Sequence, residues 1–171
     1  MSNTVLETDS HETVVLDFFG NEVEIDKKIS QLIQELWKAD IITRLSSEDN
    51  VPEGYVWIQF DTLVDFAKFM DVIFLGEDYK NDVFKRSISD FCYPGKKWKF
   101  RVNISGEDDY MDDNDDGGFE NAKNIVKNIR LNPSVRFPHE DQPYVYEKIK
   151  KFNAREFNQV LAKYIKDCDE P

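Results

Sequence analysis

The residues with the most explicit chemistry in this chain lie in one run, GEDDYMDDNDDGG, at residues 106–118. Within it Asp112, Asn114 and Asp116 alternate ahead of Gly117, as the oxygen ligands of a calcium loop precede its sharp turn. Counted from Asp112 as the first position, Glu120 stands where a ninth-position ligand would, but the twelfth position is Lys123. That position should supply a bidentate glutamate. Asp112, Asn114, Asp116 and Glu120 are therefore the candidate metal ligands, in a pattern without its closing acid. Residues 107–120 carry eight acids and no base. Such carboxylates repel one another, which favours an extended, solvated segment. The expectation is an acidic loop insertion, 106–120, that holds no calcium. Its other possible use is to dock a basic partner.

The counterpart is PGKKWKFRVN, Pro94–Asn103. In a strand, Lys97, Lys99, Arg101 and Asn103 point one way, and Trp98, Phe100, Val102 and Ile104 the other. A basic row beside aromatic side chains could hold phosphates and stack bases, which makes Lys97, Lys99 and Arg101 the candidate nucleic-acid-binding residues. The same alternation also arises in any antiparallel strand with one buried face. The run YVWIQF, Tyr55–Phe60, reads more simply as a core strand than as a binding platform.

Other chemistries find little support. The two histidines, His11 and His139, are isolated, and Cys92 and Cys168 are far apart, so no zinc spacing exists. A serine or cysteine nucleophile needs a positioned base, and no such pairing is visible. There is no glycine-rich phosphate loop. No catalytic residue and no cofactor is assigned.

The 171 residues suit one domain with a real core, 40% hydrophobic and 13% aromatic. The net charge of −12 is concentrated in the acidic run; without it the rest of the chain has 26 acids against 22 bases. This balance argues against broad, non-specific affinity for nucleic acid or anionic membrane, though it leaves room for a local basic face. Two scattered cysteines suit a reducing compartment, with one Cys92–Cys168 disulfide as the alternative. No basic and apolar leader opens the chain, and no apolar run approaches the length of a membrane helix.

The elements that must position these residues follow from periodicity. Residues 1–12 read as a flexible tail and 13–168 as a single α+β domain. Two short strands turn at Gly20-Asn21. Asp26 then caps a helix whose apolar positions are Ile29, Leu32, Ile33, Leu36 and Trp37. IITRLSS and YVWIQF form an antiparallel pair. Asp61 caps a helix with Leu63, Phe66, Ala67, Met70, Ile73 and Phe74 on one face, and a weaker helix lies near Tyr79–Phe91. KWKFRVNIS and IRLNPSVRF are strands, and a helix starts near Pro143. Asn153 and Glu156 have capping-box spacing, which predicts a separate last helix stapled by Phe152 and Phe157. The two halves read as a degenerate ββα repeat in a mostly antiparallel sheet. Trp37, Trp57, Phe60, Phe66, Phe100 and Phe137 are the expected core aromatics.

The segment QLIQELWKADIITRLSSEDNVPEGYVWIQFDTLVDFAKFM, Gln31–Met70, resembles a pattern in small uncharacterised proteins of bacteria and large DNA viruses. There a helix ends in Leu-Trp, followed by a Gly-Ile-x-Thr strand, a Ser-Cys pair, a turn and a Tyr-x-Trp/Phe strand. SVRFPHEDQPYVYEKI is similar to the close of those proteins. This chain has Ala39-Asp40 in place of the glycine and Ser47 in place of the cysteine. The resemblance implies a compact α+β fold and no particular activity. A lysine-rich, arginine-poor composition with many asparagines suits an AT-rich genome. The resulting expectation is a non-enzymatic intracellular interaction module or minor virion component, in the host cytoplasm or the virion. Its partner would be an unidentified protein. A nucleic-acid-associated protein and an enzyme of unrecognised type are the alternatives, and no membrane association is expected.

Overall fold

The computed structural model describes residues 12–48, 53–88, 96–105 and 130–168, with side chains described to residue 103 in the third segment and over 131–159 in the last. The acidic run, the candidate ligands Asp112, Asn114, Asp116 and Glu120, and all but the last residue of the N-terminal tail lie outside the described residues.

The sequence builds two kinds of layer, and the α+β expectation holds. Strand β1 (Thr13–Phe18) pairs antiparallel with β2 (Asn21–Asp26) in a separate hairpin. Phe18 faces Asn21, so the two turn residues are Phe19 and Gly20, both at positive φ, one position earlier than expected. Positive φ at both turn positions matches the twist of the flanking strands. Helix α1 (Ser30–Lys38) follows, with Leu32, Ile33 and Leu36 buried. Its start corrects the expected Asp26 cap. The first turn has no side-chain cap, and Asp26 instead accepts the Glu48 N–H at 2.9 Å.

The main sheet contains β3 (Thr43–Glu48), β4 (Tyr55–Phe60), β5 (Lys99–Ser105) and β6 (Arg130–Pro138), in the order β3-β4-β6-β5 and antiparallel throughout. A bulge at Arg44 shifts the β3 register between Thr43 and Leu45. The β4 ladder on β6 stops at Ser134, one residue short of Pro133, which has no N–H to give. After β4 comes α2 (Leu63–Phe74), then the short α3 (Asp82–Ile88). After β6 a 3-10 turn, His139–Asp141, leads into α4 (Gln142–Cys168). The central strands β4 and β6 each lead into a helix, the arrangement expected of two related ββα units.

Helix α2 is capped by Thr62 rather than Asp61. Thr62 and Asp65 form a reciprocal capping box, and the second Asp65 oxygen accepts the Ile42 N–H at 2.8 Å. The inward stripe is Phe66, Phe69, Met70 and Ile73, so the helix is rotated from the expected face and Leu63 is exposed. Helix α4 is continuous through Asn153, which overturns the expected break and cap there.

One apolar cluster joins these layers: Leu32, Ile33 and Leu36 of α1; Val56, Ile58 and Phe60 of β4; Phe69 and Ile73 of α2; Val135 and Phe137 of β6; Val145 and Ile149 of α4. Fully burying one such side chain contributes roughly 1.5–3 kcal/mol. Trp37 and Phe66 pack at its margin. Two expected core aromatics do not belong to it. Trp57 alternates with Val56 and Ile58 and falls on the opposite sheet face, half-buried. Phe100 lies on the edge strand and stays 44% exposed, although its ring is 6.0 Å from that of Phe66.

A polar knot ties α3 to the end of the sheet. Asp141, wholly buried, accepts from Arg86 Nε at 3.1 Å, from Arg86 Nη2, and from Trp98 Nε1 at 2.8 Å. The Trp98 ring stacks on Phe137 at 4.9 Å. No sequence pattern pairs Arg86 with Asp141 across that span.

Candidate functional site

The helices cover one face of the main sheet. The other face can be read directly from strand register, because directly paired residues point the same way. One row across it is Ser47, Trp57, Arg136 and Lys99; the next is Leu45, Gln59, Ser134 and Arg101. Asn132 and Asn103 extend the pattern along β6 and β5. Two candidate nucleic-acid residues, Lys99 and Arg101, thus share this face with Arg136, which the sequence reading did not include. Arg136 sits in RFP, where its neighbours read as a core strand. Only the pairing of β6 with β5 brings it beside Lys99.

Lys97 is placed differently. It precedes the strand, which begins at Lys99, and it is half-buried and engaged in a contact of its own. It does not extend the row. The reason is local: the adjacent Trp98 N–H donates to the Arg86 carbonyl at 3.2 Å, which anchors this segment to α3 before β5 begins.

Lys99 and Lys96 both lie over the Tyr55 ring, with Nζ 5.1 and 5.8 Å from its centroid. These contacts hold the ammonium groups near the sheet, and no carboxylate among the described residues pairs with them. The guanidinium groups of Arg101 and Arg136 have no ion pair or side-chain hydrogen bond among the described residues. Trp57 likewise has no ring contact or indole hydrogen bond among them. Between Lys99, Arg101 and Arg136 lies a small cavity of about 80 Å³ with Ser134 in its lining. Ser134 is 4% exposed, and its Oγ is 3.5 Å from the Arg101 carbonyl. The face therefore combines three neighbouring cations, a half-buried indole and a buried hydroxyl.

The helical side offers a second concavity, a groove of about 730 Å³ between α2 and α4. Ala67, Val72 and Phe152 give it an apolar lining, and Lys68, Lys148, Lys151 and Arg155 are its basic residues. The lining contains no serine, threonine, cysteine or histidine among the described residues, so it assembles no nucleophile with a base. Near its end Lys148 pairs with Glu77. Hydrogen bonds from Lys148 and Asn81 hold the Glu77 carboxyl below its ordinary range. Burial works against the Lys148 charge, but Glu77 and Tyr144 outweigh it and raise the ammonium above its ordinary range.

Among the described residues no group of three or more His, Cys, Asp or Glu side chains could hold a metal ion. Among them, too, no helix is long and apolar enough to cross a membrane.

No protein-family model matches the chain, and no solved structure matches it. An uncharacterised protein of Acanthamoeba polyphaga mimivirus is 29% identical over 137 residues, which covers 78% of this chain and 65% of that protein. The chain thus spans just under two thirds of that relative's length. The likeness agrees with the resemblance to proteins of large DNA viruses.

Proposed function

We propose that this protein is a non-enzymatic interaction module of a large DNA virus, and that the sheet face turned away from the helices takes nucleic acid at its Lys99, Arg101 and Arg136 edge. The observation that carries the reading is the placement of Arg101 and Arg136 around Ser134, with no carboxylate partner among the described residues. A surface cation is normally left near carboxylates or in water at little cost. Cations gathered on one sheet face, beside an indole without a ring contact among the described residues, suit an extended polyanion. The overall charge of −12 opposes non-specific attraction, so binding rests on this local face. The sequence pattern shared with viral proteins and the mimivirus likeness support a location in the virion or the host cytoplasm.

The test is gel retardation of labelled single-stranded and duplex DNA at 50 and 200 mM salt. Retardation that weakens with salt and is lost in the Arg101→Gln/Arg136→Gln double variant is the expected result. No retardation at 50 mM salt, or equal retardation by the double variant, overturns the reading. A pull-down from infected cells that returns one protein at fixed stoichiometry, insensitive to nuclease, would make the partner a protein instead.

A further inference from the structure

We infer that this face contains a seat for a single nucleotide of a single strand, with the phosphate in the cavity over Ser134 and the base on Trp57. The inference rests on the nucleic-acid reading and adds to it a ligand unit and a residue assignment. A cavity of about 80 Å³ holds about two to three water volumes, room for one tetrahedral oxyanion and too little for a base. Its rim carries Lys99, Arg101 and Arg136, one cation from each of three surrounding positions on β5 and β6. The floor hydroxyl of Ser134 can turn its hydrogen toward an incoming oxygen. Three cationic donors around one small void suit a phosphodiester, which offers two non-bridging oxygens.

The position of Trp57 gives the second half. Trp57 pairs directly with Arg136, and Ser134 is two residues along the same strand. That makes Trp57 and Ser134 diagonal neighbours on one face, about 7–8 Å apart along the sheet. A base and its own phosphate lie a comparable distance apart, so one nucleotide reaches both positions. Stacking on an indole requires a base out of its helix, and a flat sheet offers no groove-filling element. A single strand therefore meets these demands better than a duplex.

Fluorescence anisotropy on the full chain tests the assignment with two probes, a labelled twelve-nucleotide oligothymidylate and an abasic strand of equal length. Trp57→Ala should weaken oligothymidylate binding about tenfold and leave the abasic strand unaffected, with Trp57→Phe restoring most of the loss. Arg136→Gln should weaken both probes alike and lower the salt slope by about 0.7. If Trp57→Ala and Trp57→Phe bind oligothymidylate as wild type does while Arg136→Gln weakens it, the nucleotide seat is wrong and the polyanion reading stands. If wild type binds neither probe, the polyanion reading itself fails. Displacement of both probes by sub-millimolar inorganic phosphate would identify a free-phosphate site and overturn the nucleotide assignment. Because Trp57 lies outside the apolar core, circular dichroism should show these variants folded. Should the alanine variant unfold, the phenylalanine and Arg136 variants still decide the question.

Discussion

Asn153 Nδ2 donates to Glu35 twice, to its main-chain carbonyl at 3.0 Å and to its carboxylate at 2.8 Å. One side chain in the middle of α4 thereby fastens the last turns of α1. Burial alone would raise the Glu35 pKa, but the hydrogen bonds from Lys38 and Asn153, with the charges of Lys38 and Lys150, hold it below its ordinary range.

Asn153→Ala should destabilise the fold by about 1–2 kcal/mol, the loss of hydrogen bonds to a charged and a main-chain acceptor. Asn153→Asp separates this account from a helix cap. Aspartate caps as well as asparagine does, but here it loses the donor and faces Glu35. The aspartate variant should be at least as unstable as the alanine variant at pH 7, and urea unfolding measures both.

Asp40 ends α1 at φ 55°, with its N–H on the Trp37 carbonyl and the Ile41 N–H on the Leu36 carbonyl. This is the left-handed position that closes a helix, and glycine suits it best. Asp40→Gly should raise stability by about 0.5–1 kcal/mol, through relief of left-handed strain partly offset by chain entropy. The change removes the exposed Asp40–Lys68 ion pair at 3.6 Å, which is worth little, and Lys68 keeps its contact with the residue-40 carbonyl. An unchanged or lower unfolding midpoint would contradict the argument.

Asp141→Ala removes the buried partner of Arg86, which keeps the more exposed Glu140 at 3.9 Å, and should cost about 3 kcal/mol. Combining Arg86→Met with Asp141→Asn keeps an acceptor for Trp98 Nε1 and removes both charges. The double variant should recover at least half of that loss. If the effects of Arg86→Met and Asp141→Asn alone add up to that of the double variant in thermal unfolding, the pair is not coupled.

The Glu77–Lys148 pair should set a pH window. A lowered carboxylate pKa stabilises the fold above the ordinary value of 4.5 and is lost as pH falls through the folded-state value. A raised ammonium pKa stabilises it below 10.5 and is lost as pH rises through the folded-state value. Lys148→Met should therefore cost about 1 kcal/mol near pH 7. The difference from wild type should shrink by chemical denaturation as pH falls from above 4.5 through the lowered folded-state value of Glu77.

Much of the fold was legible because periodicity reports burial. Val56, Ile58 and Phe60 alternate as a one-sided strand must, and Leu32, Ile33 and Leu36 mark the buried stripe of α1. What failed were readings in which one local rule had two outcomes. Asn153 and Glu156 have capping-box spacing, but nothing nearby breaks the helix, so the asparagine serves a tertiary contact. Asp26 and Asp61 precede helices without capping them, since Asp26 is taken by the Glu48 N–H and Thr62 supplies the second cap. The candidate site was half legible. Lys99 and Arg101 alternate within one strand, while Arg136 and Trp57 join them only through pairing that no single segment encodes.

Strand β5 stands at the edge of the main sheet, and its outward positions are Lys99, Arg101 and Asn103. An edge strand offers main-chain donors and acceptors to any other extended chain, including a second copy of itself. Two copies meeting edge to edge would bring Lys99 and Arg101 close to their own counterparts, and like charges across a strand pair oppose the match. The same cations thus act as gatekeepers of solubility. Phe100 and Val102, both exposed on the other side of this strand, would make an unguarded edge adhesive. Charge removal at Lys99 and Arg101 would then reduce colloidal stability as well as anion affinity, and the limit on how far this edge can drift toward neutrality is set by self-assembly.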